Sequence, residues 1–269
     1  MLQYEYMKIA FAVGLMLGVI LPLLGNILVL KNLSLSGDAM SHTALAGVAI
    51  GLVSGINPLL TAIALCVIAS ITIEFSRKMF KKYSDLAVAI VLSASIALAG
   101  LLSSWANSAN FNSYLFGSIV LVNKLELWLV IAMFFIVIFW SIYSYRKMFY
   151  IVFDEEGAKI HGINVDFCNI IQTILTAVVI AVASKTIGAL MVAALIVIPC
   201  ATAMQLSKNY HKTTFISILI SVLCILSGLI MAYYLKTKPG ATIVLLSVLV
   251  LLVVLEIKNI IKKRNQKKI

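Results

Sequence analysis

The sequence predicts an all-α, polytopic membrane protein, and three observations predict it. Hydrophobic residues fill 62% of the 269 positions and charged residues 12%, against roughly 45–50% and about 25% in soluble domains. The apolar residues gather in runs close to the roughly 20 that a helix needs to cross a bilayer. The basic residues gather between those runs, with a bias that selects one orientation.

Nine segments reach or approach spanning length, at about 9–30, 39–53, 59–75, 86–103, 125–145, 167–183, 187–206, 214–235 and 241–257. The first exceeds the roughly 7–15 apolar residues of a signal peptide and lacks a small-x-small cleavage site, so it is expected to stay as a membrane helix. The second is too short to span unless it begins a turn earlier, near Leu35, which draws Asp38 and His42 to membrane depth. The third and fourth are parted by the basic cluster Arg77, Lys78, Lys81 and Lys82. After the fourth, 105–124 is long for a loop and contains the partly apolar run 114–122, which predicts a short interfacial or re-entrant helix. The fifth runs into a polar stretch at about 146–166. The seventh is rich in small residues and holds Pro199, whose ring meets the carbonyl of Leu195 and predicts a kink. The ninth ends in a basic tail at about 258–269. No Gly/Ser-rich or Pro-rich linker interrupts the series, so 1–269 is expected to form one membrane domain.

With the N-terminus outside, sixteen of the 21 Lys and Arg residues fall on the inner side. Those left outside are Lys8, Lys124, Lys185, Lys236 and Lys238. The positive-inside rule therefore predicts nine helices with an outside N-terminus and a cytoplasmic C-terminus. The net charge of +11 is explained by topology and anionic membrane lipid, without nucleic acid. Cys66, Cys168, Cys200 and Cys224 all lie within apolar segments and lack C-x-x-C spacing, so they read as small buried hydrophobes.

The motif with most chemical content is Ser36-Gly37-Asp38-Ala39-Met40-Ser41-His42. Asp38 and His42 are four apart and share one helix face. Carboxylate and imidazole are suitable ligands for zinc or manganese. Two ligands hold an ion weakly, as a transport path requires, and a homodimer would offer four. The competing reading makes Asp38 a helix N-cap and His42 a filler between helices. Of the ten acidic residues, Asp38 alone lies near a predicted helix end with a histidine one turn away on the same face. Next, Gly47, Gly51 and Gly55 form a stripe suited to close helix packing in lipid.

On the inner side, Glu156-Gly157-Ala158-Lys159-Ile160-His161-Gly162 reads as a short helix ended by a glycine. By its residues alone it is a solvated amphipathic connector. Its spacing resembles the E-A-A-x-x-x-G coupling loop with which permeases of ATP-binding-cassette (ABC) importers dock on their ATPases. Gly157 stands where that pattern has its first Ala.

Taken together, the chain resembles the zinc and manganese permease family of bacterial ABC importers. Gly37-Asp38-Ala39-Met40-Ser41-His42-Thr43-Ala44-Leu45-Ala46-Gly47-Val48 is similar to the family's G-D-A-x-S-H-A-x-x-P-G-V, with Thr43 and Ala46 departing from it. Ser113 to Ile119 and Ile187 to Ala203 extend the resemblance along the chain. It implies a homodimer in the bacterial plasma membrane, a cytoplasmic ATPase and an extracytoplasmic metal-binding protein. It also implies that Asp38 and His42 contact the transported Mn2+ or Zn2+, with no permanently bound cofactor, and that Glu156, Ala158 and Gly162 belong to the ATPase-docking segment. No G-x-x-x-x-G-K-[ST] loop occurs, so ATP hydrolysis falls to a partner and the permease is not an enzyme. Two rivals remain at this point. A permease for a metal chelate or siderophore would need a wider path, and rescue of a deletion strain by one free cation separates the two. An intramembrane metalloenzyme would need a third ligand and a base, while His161 and His211 lie in predicted cytoplasmic loops.

Overall fold

A computed structural model describes residues 5–79, 84–105, 111, 114 and 124–266. These residues form ten α-helices and one π-helical turn, with no strand among them. The helices are α1 Glu5–Leu30, α2 Leu35–Ser54, α3 Pro58–Met79, α4 Ser84–Ser103, α5 Lys124–Phe153, α6 Glu155–Ile160, α7 Val165–Ala183, α8 Ala189–Leu206, α9 Tyr210–Leu235 and α10 Pro239–Gln266. The π turn, Ser184–Gly188, joins α7 to α8. Each predicted segment has a helix. The expected short helix over 114–122 and the inner cations Lys81 and Lys82 lie outside the described residues, apart from Tyr114.

Seven helices are long and apolar enough to cross a membrane by themselves: α1, α3, α4, α5, α7 with the π turn, α9 and α10. The other two long helices, α2 and α8, fall short of that test. In α8 the apolar stretch Met191–Leu206 is shorter. In α2 polar residues dilute the run. α2 does begin at Leu35, a turn before the apolar run, because the α1–α2 connection is only four residues long and is closed by Asn32, whose φ is 57°, and by backbone bonds back to Val29 and Leu28. α5 continues past the predicted end at 145 to Phe153. Arg146 and Lys147 interrupt the apolar run there without breaking the helix, since both are good helix formers.

The core explains why α2 needs no lipid. It packs most extensively on α3 and α4, then on α8 and α7, and 13 of its 20 residues are buried. Two polar side chains on this buried helix, Ser41 and Thr43, are satisfied internally, as membrane depth demands, whereas the buried Ser36 hydroxyl has no hydrogen-bond partner among the described residues. Ser41 Oγ donates to the Gly37 carbonyl at 2.9 Å, Thr43 Oγ1 to the Ala39 carbonyl at 2.8 Å, and Thr43 also meets Ser95 Oγ of α4 at 2.7 Å. The expected glycine stripe divides into two roles. Gly47 and Gly51 press on α3, where an added Cβ would lie 2.5 Å from Ala62 Cα and 2.6 Å from Pro58 Cα respectively. Gly55 instead ends α2 in the left-handed conformation, at φ 72°. All four cysteines are free and buried.

At the end of α1, Lys31 Nζ donates to Asn169 Oδ1 of α7 at 2.5 Å. Burial, reinforced by the Arg77 guanidinium, lowers its pKa to about 8, with Glu155 and Glu74 opposing. The unfolded chain keeps the Lys31 proton up to its ordinary pKa of 10.5, whereas the fold releases it near 8. Lys31 therefore costs stability below pH 8, and stability recovers as pH rises from about 8 towards about 10.5. Denaturant titrations of the full chain in micelles should show the wild type gaining on Lys31→Met across that window. A constant difference between the two would contradict the assignment.

Candidate functional site

Asp38 and His42 sit in the first two turns of α2. Helix geometry sets them on one stripe with Leu35, and these three residues are the only ones left open in the first two turns. From Thr43 to Ala49 every residue of α2 is buried. Leu45 and Ala46 pack there against Ala99 and Ala189, with Tyr114 alongside. The accessible stripe thus ends at His42, against a sealed stretch.

The cap position belongs to Ser34, and Asp38 lies four residues further in, so Asp38 does not cap this helix. Its Oδ1 is 3.7 Å from His42 Nε2, too far for a hydrogen bond. A divalent ion at about 2.0–2.2 Å from each atom would bridge that gap at an angle of roughly 120°. Among the described residues, no group of three or more His, Cys, Asp or Glu side chains comes together. Within one chain the pair offers one oxygen and one nitrogen, and a fuller coordination shell needs donors from elsewhere. His161 and His211 are occupied apart from it. His161 Nδ1 donates to the Gly157 carbonyl at 2.8 Å, and His211 Nδ1 lies 2.5 Å from the Tyr145 hydroxyl.

One of the two departures from the family motif has a local explanation. Thr43 gains Ser95 as a partner across the α2–α4 contact. Ala46 is fully buried within the sealed stretch.

The second predicted site folds as the short helix α6. Asp154 caps it, its Oδ1 accepting from Gly157 N at 2.8 Å. That carboxylate occupies the space a Cβ on residue 157 would enter, which accounts for glycine in place of alanine. Ala158 is buried and anchors α6 in a cluster with Ile27, Met148, Ile151, Val165 and Cys168. Gly162 adopts φ 77°, the left-handed conformation that lets the chain turn into α7. Glu156 points to solvent. So does Ile160, at 84% exposure, which sequence reasoning passed over as part of an amphipathic pattern.

A further pair was also missed. Lys185 in the π turn forms an ion pair with Glu126 at the start of α5, and its Nζ lies 5.6 Å from the centre of the Tyr114 ring. The sequence presents Lys185 and Glu126 only as charges near helix ends. Lys185 reaches Glu126 from the π turn, which ends at Gly188 with φ 106° and ψ 134°.

Residues 3–258 match the family described as "ABC 3 transport family". A relative from Treponema pallidum (strain Nichols), named "Probable metal transport system membrane protein", is 37% identical over 98% of this chain and 100% of its own length. "Manganese transport system membrane protein MntC" of Listeria monocytogenes is 29% identical over 93% of this chain and 90% of its own. "High-affinity zinc uptake system membrane protein ZnuB" of Haemophilus influenzae is 29% identical, covering 91% and 95%. Among solved structures, a chain of "PsaBC from Streptococcus pneumoniae in complex with Fab" superposes with a TM-score of 0.82 at 25% identity, covering 93% of this chain and 91% of that one.

Proposed function

This chain belongs to the ABC 3 transport family, and from that membership we propose that it is the membrane-spanning permease of an importer for divalent metal ions. The observation that carries the site assignment is the Asp38–His42 pair on the open stripe of α2, below turns that are sealed on every side. In this reading α1, α2, α3, α4, α5, α7, α8, α9 and α10 form one domain of nine spans in a bacterial plasma membrane, with the N-terminus outside. Two chains meet so that both open stripes face one path, and four donors surround the ion. An ion coming from the outer side reaches them only when α2, α4 and α8 part around Leu45 and Ala46. The pair holds the ion briefly, because few ligands and partial exposure allow it to leave.

Movement of that kind needs an energy source, which the chain supplies by docking. Helix α6 is rigidly seated through Ala158 and presents Glu156 and Ile160 outward, so it serves as the contact for a cytoplasmic ATPase. An extracytoplasmic binding protein delivers the ion. Glu156→Ala is expected to weaken recovery of the ATPase complex by roughly tenfold, on the order of 1 kcal/mol, and Ile160→Asp by more. Co-purification together with ATP turnover checks this, and unchanged values for both variants would displace the docking surface.

The relatives carry both manganese and zinc in their names, and an oxygen–nitrogen donor set accepts either ion. Mass-spectrometric uptake of competing cations, in cells with and without this chain, tests the transport reading and identifies the ion. Equal accumulation of every divalent cation in both strains would refute it.

A further inference from the structure

Where the stretch 138–147 of α5 passes the start of α9, the surface opens into a groove of about 730 Å³. Its wall is apolar, made by Leu23 of α1 with Ile138 and Ile142 of α5, and its rim carries Arg146, Lys147 and His211. A second groove, of about 790 Å³, lies on the other side of His211 and adds Lys208 and Lys212. Among the described residues, no acidic side chain lines either groove.

The rim is organised. Tyr145 and His211 stack with ring centres 4.8 Å apart and share the 2.5 Å contact. Lys147 Nζ lies 4.7 Å from the centre of the Tyr143 ring, which steadies the ammonium while leaving its charge uncompensated. Neither Arg146 nor Lys147 has an ion-pair partner among the described residues. Three other inner cations are neutralised, Arg77 by Glu74, Lys78 by Asp166 and Lys159 by Glu155. The groove therefore concentrates positive charge at one end of an apolar channel that runs along the spanning helix α5.

We propose that this groove between α1, α5 and α9 is a binding site for one anionic phospholipid. The phosphate of its headgroup lies between Arg146 and Lys147, and an acyl chain lies along Leu23, Ile138 and Ile142. A soluble anion would gain nothing from the apolar wall, and a neutral lipid would gain nothing from the cations. The size is within the roughly 300–1,000 Å³ of ligand sites. Basic clusters between membrane helices at the headgroup level bind acidic lipids in this way, and tyrosines favour the same depth.

The test uses the full chain, stripped of lipid in a neutral detergent. It is titrated with phosphatidylglycerol or phosphatidylcholine of identical acyl chains and followed by native mass spectrometry and thermal unfolding. Phosphatidylglycerol should bind at least about tenfold more tightly than phosphatidylcholine and raise the unfolding midpoint. The double variant Arg146→Gln, Lys147→Gln should lose that preference. The reciprocal Arg146→Lys, Lys147→Arg should keep it, as should Lys262→Gln, Lys263→Gln in the basic tail, which reduces net charge without touching the groove. Three results would overturn the site: equal binding of the two lipids, an equal loss in the tail variant, or full competition by glycerol phosphate, which has no acyl chain. A dimer that forms only as lipid leaves would assign the groove to a second copy instead.

Discussion

Replacing Asp38 or His42 with alanine is expected to abolish metal-dependent growth and reduce cation uptake by at least about 100-fold. Changing a group that merely supports a metal ligand already costs roughly 10–100-fold. In a two-chain path each substitution removes two of four direct ligands. The fold should tolerate the loss. Both side chains lie on the open stripe, with His42 22% and Asp38 43% exposed, and alanine is the best helix former. Membrane abundance and ATPase association should therefore remain those of the wild type. Normal uptake by both variants would remove the pair from the ion path, whereas loss of both uptake and abundance would indicate a structural role.

Gly47→Val should have the largest effect on the protein itself. The obstacles are backbone atoms: Ala62 Cα at 2.5 Å and Thr61 O at 2.8 Å from the added Cβ. No rotamer change relieves them, so α2 must separate from α3 along its principal contact. Lipid tails are as apolar as the side chains, and close packing is what holds such helices together. A destabilisation of about 3 kcal/mol or more follows, at the upper end for overpacked cores. Size-exclusion profiles and unfolding midpoints should show aggregation or a large loss for Gly47→Val and an intermediate loss for Gly51→Ala. Gly100→Ala is the control, since nothing lies within 4 Å of its added Cβ. Wild-type behaviour of Gly47→Val would show that the α2–α3 contact contributes little.

Much of this was legible because membrane helices advertise themselves through long apolar runs and flanking cations. The position of α2 was legible for a different reason: extending it by one turn was the only way to give it useful length. The Asp38–His42 proximity followed from spacing within one helix. What could not be read depends on contacts between distant segments. The Lys185–Glu126 pair joins the π turn to the start of α5, and the Thr43–Ser95 bond needs the α2–α4 packing. Glycine at 157 made sense only once the Asp154 carboxylate was seen in the space beside it. Ile160 was invisible as a surface feature because aliphatic residues also fill the buried face of short helices, and only its exposure separates the two cases.

The dilute hydrophobicity of α2 also constrains how the protein is made. A segment with Asp38, His42, Ser41 and Thr43 in its first half gains little by leaving the translocation machinery alone for lipid, and its partners α3 and α4 are synthesised after it. The newly made helix must wait until they emerge and then enter with them as a group. The polarity of its first half thus ties the biogenesis of α2 to the residues behind it, and mutations in α3 should appear first as failures of insertion.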